Sequence, residues 1–461
     1  MSEFEAGRVA INDLLADVAQ RATQYLDSVD DRPVFPTPEA LAGLAAFDEP
    51  LPEQPQDVAQ TLALLDEAGS PATVASAGGR YYGFVIGGSL PAALAANWLA
   101  GAWDQNACMV TSSPVAAKLE LVELGWLLQA LNLPPQSGGG FVTGATMANF
   151  SGLAAARHAV LEKEGWNVEA QGLFGAPPVT VIVGEEVHVS LLKALSLLGF
   201  GRERVVRVPV DGQGRMRADA LPEISGPTIV CIQAGNVNTG AFDPAAEICA
   251  AAHSAGAWVH VDGAFGLWAA AAPKRAHLSA GVEQADSWAT DAHKWLNVPY
   301  DGGLVFSRDA AALRAALTHS RAAYLSDGGP REPMEYTPEM SRRARGIEIW
   351  AALRSLGRSG LAEMIERCCR HAARFADGLR AAGYTVLNDV ELNQVLVSFG
   401  SAEKTQRVIQ AMQSEGTAWC GGTVWQGQAA MRISVSSWLT SAEDVEKSLQ
   451  AILRVAAEIK C

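Results

Sequence analysis

The stretch Ala289-Thr-Asp-Ala-His-Lys-Trp-Leu-Asn297 places a lysine between an imidazole and an indole, next to apolar sequence. Burial there disfavours the ammonium form of Lys294 and leaves an amine that can condense with an aldehyde. About thirty residues earlier, Val259-His-Val-Asp-Gly-Ala-Phe265 contains Asp262, which follows an apolar run typical of a buried strand. A carboxylate at such a strand end needs a cationic partner. We therefore predict that Lys294 forms a Schiff base in a site shared with Asp262.

Each half of this pattern has another interpretation when taken alone. A His-Lys-Trp triplet also occurs on surfaces, and an aspartate after a strand often caps a turn or helix. Together, in this order and spacing, they indicate pyridoxal phosphate, whose aldehyde and protonated ring nitrogen suit Lys294 and Asp262.

A third signature for the same cofactor is the glycine-rich stretch Ser137-Gly-Gly-Gly-Phe-Val-Thr-Gly-Ala-Thr-Met-Ala-Asn149. Small residues let the backbone approach an anion, and a helix predicted over 150–161 directs its N-terminal amides at it. We predict Gly144, Ala145 and Thr146 as the phosphate cradle. The stretch fits neither the dinucleotide fingerprint nor the P-loop, which ends in Gly-Lys-Ser/Thr.

Over most of its length the chain resembles the group II pyridoxal-phosphate-dependent amino acid decarboxylases, which include aromatic-L-amino-acid and glutamate decarboxylases. Besides the three motifs above, the resemblance rests on Arg80-Tyr-Tyr-Gly-Phe84, Ser113-Pro114 with Leu119-Glu120, Val187-His-Val-Ser190, and the segments 234–244, 336–343 and 431–434. It implies an α/β chain of the aspartate-aminotransferase-like fold type I. In that fold a large domain holds a mainly parallel seven-stranded sheet, a small C-terminal domain is α+β, and two subunits form a homodimer.

The resemblance also implies roles for individual residues. His188 is expected to stack on the cofactor ring, Asp262 to bind the ring nitrogen, and Lys294 to form the Schiff base. His293 is expected beside the phosphate and the reacting centre. Asn236 falls near the cofactor, at a position where relatives often carry threonine.

Three further residues are predicted to contact the substrate. Arg432 matches an arginine that holds the substrate carboxylate in glutamate decarboxylase-like enzymes, a role that suits its bidentate guanidinium. A surface-paired arginine at a strand end is the alternative. Phe84 and Trp103, with Tyr81 and Tyr82, are candidates for an aromatic side-chain pocket, although these rings also fit a packed core.

The proton donor is the point at which the chain departs from the family pattern. In animal aromatic decarboxylases a mobile loop carries a catalytic tyrosine, whose aligned place here is near Pro333, in a shorter loop. Tyr324 and Tyr336 are the nearest tyrosines, and Tyr336 is our candidate catalytic donor. Decarboxylation of an aromatic L-amino acid is thus the leading hypothesis for this lyase. Another pyridoxal phosphate reaction, such as aldehyde synthesis, retro-aldol cleavage or transamination, is the alternative, followed by a non-catalytic scaffold.

Bulk composition is typical of a soluble metabolic enzyme with a small-molecule amino acid substrate. The 461 residues carry a formal net charge of −15, which argues against nucleic acid or anionic membrane as a partner. No apolar run is long and pure enough to span a membrane, and residues 1–8 lack the features of a signal peptide. The seven cysteines include no CxxC pair, so we expect no metal site. These observations favour the cytoplasm.

The chain divides into three predicted parts: an N-terminal helical segment (1–75), a large cofactor-binding domain (76–326) and a small α+β domain (327–461). The first contains helices predicted over 11–25 and 55–67, and we expect it to wrap around a second subunit. In the large domain, short apolar runs alternate with helical patterns, which implies a mainly parallel sheet. The predicted strands are 178–183, 204–208, 228–233, 257–261, 287–290 and 303–306. Ligands of such sheets bind beyond the carboxyl ends of the strands.

Overall fold

The computed structural model describes residues 11–318 and 331–459. Its N-terminal region contains three α-helices. They are α1 (Ile11–Ser28), α2 (Pro38–Gly43) and α3 (Val58–Gly69). The side chains of Thr37 and Asp57 accept backbone hydrogen bonds at the starts of α2 and α3, as good N-cap residues do. Arg21 of α1 reaches Asp66 of α3 at 3.0 Å. None of the three helices contains a fully buried residue.

The large sheet has seven strands in the order β1-β7-β6-β5-β4-β2-β3. Its strands are β1 (Gly138–Val142), β2 (Thr180–Gly184), β3 (Val206–Val208), β4 (Thr228–Gln233), β5 (Trp258–Asp262), β6 (Ser287–Asp291) and β7 (Gly303–Ser307). Only β7 runs antiparallel to its neighbours β1 and β6, and the other pairs are parallel. The predicted mainly parallel seven-stranded sheet is confirmed.

Apolar strands explain why this sheet lies inside the molecule. Every residue of β4, β5, β6 and β7 is buried, as expected when helices cover both faces of a parallel sheet. The covering and connecting helices are α4 (Pro91–Trp103), α5 (Pro114–Ala130), α6 (Ala145–Glu162), α7 (Val168–Gln171), α8 (Val189–Leu197), α9 (Ala245–Ser254), α10 (Ala292–Trp295) and α11 (Ala310–Leu317). Helix α6 is rich in alanine and almost fully buried, so it packs closely against the sheet.

The C-terminal region combines helices with a second, four-stranded antiparallel sheet in the order β10-β11-β9-β8. Its elements are α12 (Gly346–Ala381), β8 (Thr385–Val386), β9 (Gln394–Ser398), α13 (Ala402–Glu415), β10 (Gly421–Trp425), β11 (Gln428–Ser434) and α14 (Ala442–Glu458). The predicted small α+β character is confirmed. The backbone of helix α12 breaks at Gly357, where φ is 60°.

Two elements of the glycine-rich stretch differ from expectation. Residues 138–142 form β1, which sequence analysis interpreted as a turn, and α6 begins at Ala145 rather than at residue 150. A β-carbon at Gly138 would lie 2.6 Å from Cβ of Ala310, and one at Gly139 would lie 2.8 Å from Leu124. Glycine is therefore required in this strand by close neighbours, against its weak strand propensity.

A short segment before α4 joins the two regions. The backbone amide of Tyr82 donates to the carbonyl of Trp419 at 2.9 Å, and the Tyr82 carbonyl accepts from Ser434 N at 3.0 Å. The Tyr82 hydroxyl also lies 3.1 Å from Oγ of Ser448. Residues near position 82 thus pair with the C-terminal sheet and helix α14.

The parallel strands β2, β4, β5 and β6 all end at one edge of the large sheet, where β7 begins and β1 ends. Of the predicted site residues, Asp262 is the last residue of β5, and Lys294 follows β6 within α10. Among the helices described, none is long and apolar enough to cross a membrane.

Candidate active site

Lys294 lies in a short helix immediately beyond β6 and forms an ion pair with the residue that ends this strand. Its Nζ is 3.0 Å from Oδ2 of Asp291, and the Asp291 side chain is almost fully buried. Oδ1 of Asp291 accepts a hydrogen bond of 2.5 Å from the backbone amide of Ala145. The amine therefore lies beside a buried carboxylate and not in the purely apolar setting that the sequence predicted. Asp291 was not predicted as a site residue, although it ends a buried strand as Asp262 does.

The predicted phosphate cradle is the N-terminus of α6. Gly144 is extended, with φ 168° and ψ 178°, and the helix begins at Ala145. A β-carbon at Gly144 would lie 3.1 Å from Cε1 of His293 and 3.3 Å from Oδ1 of Asp291, so glycine keeps this space open. The first amides of a helix attract anions, and Thr146 is the second residue of this helix.

His293 is held in one tautomer beside the cradle. Its Nδ1 accepts a hydrogen bond of 3.1 Å from the amide of Gly302, so the proton of the neutral ring is on Nε2. Nε2 lies 3.4 Å from Oδ1 of Asp291. The ring stacks on Tyr300 at 4.3 Å, and burial lowers the pKa of His293. His293 is therefore a neutral donor directed at the cradle.

The Asp262 carboxylate is fixed through both of its oxygens. Oδ2 accepts from Nδ2 of Asn149 at 3.1 Å, and Oδ1 accepts from the amide of Ala264 at 3.2 Å. Asp262 is 4% exposed, so these donors replace the water that an ionised carboxylate would otherwise bind. Asn149 closes the glycine-rich stretch and was not predicted as a site residue.

His188 occupies the N-cap position of α8. Its Nδ1 accepts from the amide of Ser190 at 3.3 Å and lies 2.7 Å from the Ser190 hydroxyl, so the neutral ring carries its proton on Nε2. Burial is the main cause that lowers the pKa of His188, and the charge of Asp262 opposes this shift. The charges of Lys294 and Arg432 lower that pKa further. His188 thus lies close enough to Asp262, Lys294 and Arg432 for their charges to change its pKa.

Asn236 and Arg432 meet through a loop of the large domain. Oδ1 of Asn236 accepts from the amides of Asn238 and Thr239 at 2.9 and 3.3 Å, which fixes the loop. Arg432 of β11 donates from Nη1 to Oδ1 of Asn238 at 3.3 Å. Burial lowers the pKa of Arg432, and within residues 11–318 and 331–459 the guanidinium forms no ion pair. Asn236 therefore acts on the loop, while Arg432 retains most of its donors for a ligand.

Three aromatic side chains pack together beside the segment that crosses the backbone of Lys294. Phe84 and Tyr81 pack on Trp419 with ring centroids 5.3 and 5.0 Å away. A β-carbon at Gly87, in the same segment, would overlap the carbonyl oxygen of Lys294, so this segment passes directly over the lysine backbone. Trp419 was not predicted as a site residue, because its contacts join segments over 330 residues apart.

Two predicted residues lie elsewhere in this structure. Trp103 ends α4 and is 44% exposed. Tyr336 belongs to a short 3-10 helix, Pro333–Tyr336, and its ring lies 4.2 Å from the guanidinium of Arg331 and near Gly138. Gly138 is at the start of β1, whereas the site is beyond the end of that strand. The candidate donor Tyr336 is thus not brought to Lys294, and Tyr324 lies outside the described residues.

The remaining features agree with pyridoxal phosphate. Lys294 can bind an aldehyde, Gly144 keeps the N-terminus of α6 open beside His293 and Asp291, and Asp262 supplies a buried carboxyl group. Lysine and aspartate at neighbouring strand ends, beside a helix N-terminus suited to a phosphate, are characteristic of a pyridoxal-phosphate-dependent enzyme of fold type I.

Comparison with known proteins identifies the family. The pyridoxal-dependent decarboxylase conserved domain matches residues 47–401, and the chain belongs to this family. It is 28% identical to tryptophan decarboxylase 1 of Oryza sativa subsp. japonica, over 95% of this chain and 92% of that protein. It is also 28% identical to L-2,4-diaminobutyrate decarboxylase of Rhizobium meliloti (strain 1021), over 92% and 87% of the two chains. The crystal structure of Oryza sativa TDC with PLP and tryptamine is similar in fold, with a TM-score of 0.89, 24% identity and coverage of 97% and 98%.

Proposed function

We propose that this pyridoxal-phosphate-dependent decarboxylase converts an aromatic L-amino acid into the corresponding amine and carbon dioxide. The observation that carries the proposal is the aromatic group formed by Tyr81, Phe84 and Trp419, whose segment passes over the backbone of Lys294. An aromatic side chain gains both buried area and ring stacking in such surroundings. The resemblance to tryptophan decarboxylase 1 of Oryza sativa subsp. japonica supports the same class of substrate.

The mechanism follows from the positions of four side chains. When bound, pyridoxal phosphate supplies an electron-accepting ring for the bond that breaks at the substrate α-carbon. Asp262, held by two donors, would keep a proton on the ring nitrogen. His188 is neutral and lies among the charged groups of the site, which suits a ring that packs on the cofactor face. Lys294 would hold the cofactor before and after each turnover, and its Nζ is positioned by Asp291.

Arg432 is proposed to bind a carboxylate of the substrate. Its guanidinium is largely buried and, among the described residues, donates to Asn238, which leaves donors for a bidentate contact. Burial also strengthens this contact, since water competes less for the ligand.

A second outcome, aldehyde formation or another pyridoxal phosphate reaction, is favoured by one observation. The Tyr336 ring packs under Arg331 near the start of β1, away from Lys294. Without a proton donor at the substrate α-carbon, amine formation slows and competing reactions gain.

We also propose a homodimer in the cytoplasm. Large apolar side chains are exposed on α1 and α3 (Ile11, Leu15 and Leu65) and on α4 (Trp98 and Leu99). Extended apolar surface of this kind is typical of a protein–protein interface. A second copy would cover these residues. The six cysteines in the described part of the chain are free and buried, as is usual in a reducing compartment.

Product analysis tests the proposed reaction. The purified, cofactor-loaded protein is incubated in air with aromatic, acidic, basic and β-hydroxy L-amino acids, and products are identified by mass spectrometry. An aromatic amine with stoichiometric carbon dioxide would support the proposal. Aldehyde or glycine in place of the amine would support the second outcome, and an amine from a non-aromatic substrate alone would overturn the substrate class.

A further inference from the structure

A chain of buried hydrogen bonds runs from the back of Asp262 into the protein interior. Asn149 donates from Nδ2 to Oδ2 of Asp262 at 3.1 Å, and its Oδ1 lies 2.9 Å from Nε2 of His260. Asn149 and His260 have no exposed surface. We propose that Asn149 and His260 are positioning residues that fix the Asp262 carboxylate toward the ring nitrogen of the cofactor. The inference rests on the proposed role of Asp262.

The direction of every hydrogen bond in this relay follows from the groups at its two ends, the Trp258 indole and the Asp262 carboxylate. The indole Nε1 of Trp258 can only donate, and it donates to Oγ of Ser287 at 2.9 Å. The Ser287 hydroxyl is then free to donate to Nδ1 of His260, 2.8 Å away. The carboxylate of Asp262 can only accept, so the NH₂ group of Asn149 faces it and Oδ1 of Asn149 accepts from Nε2–H of His260. Nδ1 of the neutral His260 ring then accepts from Ser287. The relay thus selects one of the two amide orientations.

The charge state of His260 keeps these directions constant. Burial lowers the pKa of His260 to about 3, so the ring is neutral near pH 7. Because Nδ1 of the neutral ring accepts a hydrogen bond, its one N–H group is on Nε2, and this group donates a hydrogen bond to Oδ1 of Asn149. If the amide of Asn149 were reversed, two oxygen atoms would face each other at Asp262, which is unfavourable in a buried site.

Helix α6 leaves space for this imidazole at one residue. A β-carbon at Gly152 would lie 2.7 Å from Cε1 and 2.9 Å from Nδ1 of His260, and 3.5 Å from Oγ of Ser287. Any larger residue at position 152 would displace the ring, which cannot move without breaking the relay. Gly152 therefore offers an independent way to perturb the relay without changing any of its polar atoms.

The consequence of the relay is a carboxylate with little rotational freedom. Asn149 holds one oxygen of Asp262, and the amide of Ala264 holds the other at 3.2 Å. Buried donors arranged before a ligand arrives need no reorganisation when it binds. Loss of Asn149 would therefore weaken the interaction between Asp262 and the ring nitrogen, and it would weaken the other contacts to the cofactor less.

Equilibrium binding of two ligands to the cofactor-stripped full chain tests the proposal. One ligand is pyridoxal phosphate, and the other is an analogue in which a CH group replaces the ring nitrogen. Because Asp262 cannot pair with this analogue, the wild type is expected to bind it more weakly. Asn149→Leu is expected to raise the Kd of pyridoxal phosphate about tenfold or more, as for loss of a charge-assisted hydrogen bond, and the Kd of the analogue less than about twofold.

Two milder variants and one control complete the experiment. Ser287→Ala and Gly152→Ala are expected to show the same selective loss, and either one decides the matter if Asn149→Leu does not fold. Cys231→Ala is the control, because Cys231 is buried, lies opposite His260 on β4 and takes no part in the relay. Cys231→Ala should either leave the Kd values of pyridoxal phosphate and the analogue unchanged or change both by the same factor.

Two results would overturn the inference. Equal losses for both ligands in the relay variants would mean that these residues serve structure alone. A wild type that does not distinguish the two ligands would remove the role of Asp262 and the relay with it. Neither result depends on which product the enzyme makes, so the proposed decarboxylation is judged separately.

Discussion

Nζ of Lys294 and Oδ2 of Asp291 lie 3.0 Å apart, and the other oxygen of this carboxylate caps α6 through the amide of Ala145. Asp291 therefore occupies part of the space that sequence analysis predicted for the cofactor phosphate. Two anions close together in a buried site repel each other. A carboxylate that organises the lysine thus also opposes the phosphate.

Asp291→Asn is expected to tighten cofactor binding. The amide keeps the size of the side chain and removes the negative charge beside the phosphate, so we expect the Kd of pyridoxal phosphate to fall about threefold to tenfold. Fluorescence titration of the cofactor-stripped protein at two salt concentrations measures this change, and the gain should shrink at high salt. Weaker binding in the variant would mean that Asp291 assists the cofactor instead.

Lys294→Ala is expected to abolish the covalent link to the cofactor. Wild-type protein treated with borohydride should gain the mass of reduced cofactor on the peptide that contains Lys294, because a lysine amine is the only group proposed to bind the aldehyde. The variant should gain no such mass and should lose the visible absorbance of bound cofactor. Labelling of another lysine in the variant would show that the assignment is wrong.

Arg432→Gln is expected to weaken substrate binding. Loss of a buried guanidinium that pairs with a carboxylate should raise KM about tenfold to a hundredfold, with a smaller effect on kcat. The matched control is Thr423→Val, which removes another contact to Asn238, at 3.1 Å, without removing a charge. Equal effects of the two variants on KM would indicate that Arg432 only holds the loop.

Tyr336→Phe is expected to change the ratio of amine to aldehyde less than about twofold, since its ring packs beneath Arg331 and not beside Lys294. Chromatography of both products in air measures the ratio. A large rise in aldehyde would restore Tyr336 as the proton donor and would require its segment to move during catalysis.

Glu123→Gln is expected to stabilise the protein at high pH. Glu123 has no exposed surface, and neither of its carboxyl oxygens has a hydrogen-bond partner in the part of the chain that the structure describes. Burial, with Glu120 and Glu348 nearby, raises the pKa of Glu123 well above 4.5. A group whose pKa is higher in the folded state contributes stability at low pH, and this contribution is lost as pH rises through the folded pKa. The variant lacks this titration.

Urea unfolding at two pH values measures the effect of Glu123→Gln. We expect little difference from the wild type near pH 5 and an advantage of about 1–2 kcal/mol at pH 8 or above. The exposed pair Arg370 and Glu363 offers a control, since Glu363→Gln should change unfolding little at either pH. An advantage that does not grow with pH would contradict the expected ionisation.

The sequence was sufficient for elements whose pattern is local. The apolar runs that became β2 to β7 predicted a mainly parallel sheet, and the fixed geometry of that sheet brings Asp262 and Lys294 to one edge. Strand β1 was missed because three consecutive glycines have weak strand propensity, and the close neighbours that require them are far along the chain.

The missing parts of the site depend on long-range pairing. Asn149 can be recognised as a site residue only from its hydrogen bond to Asp262, which lies 113 residues later in the chain. Trp419 contributes to the site because its strand region pairs with the segment near Tyr82. No local pattern distinguishes these residues from ordinary core positions, so a single sequence could not assign them.

The pairing of Tyr82 with the C-terminal region has a consequence for biosynthesis. Its hydroxyl contacts Ser448, 366 residues further along the chain, and its backbone pairs with Trp419 and Ser434. During translation at about 5–20 residues per second, the segment near Tyr82 waits roughly twenty seconds or more for these partners. Until then Tyr81 and Tyr82, which are buried in the folded protein, lack these partners, so the nascent chain exposes aromatic surface to chaperones until the ribosome has nearly finished.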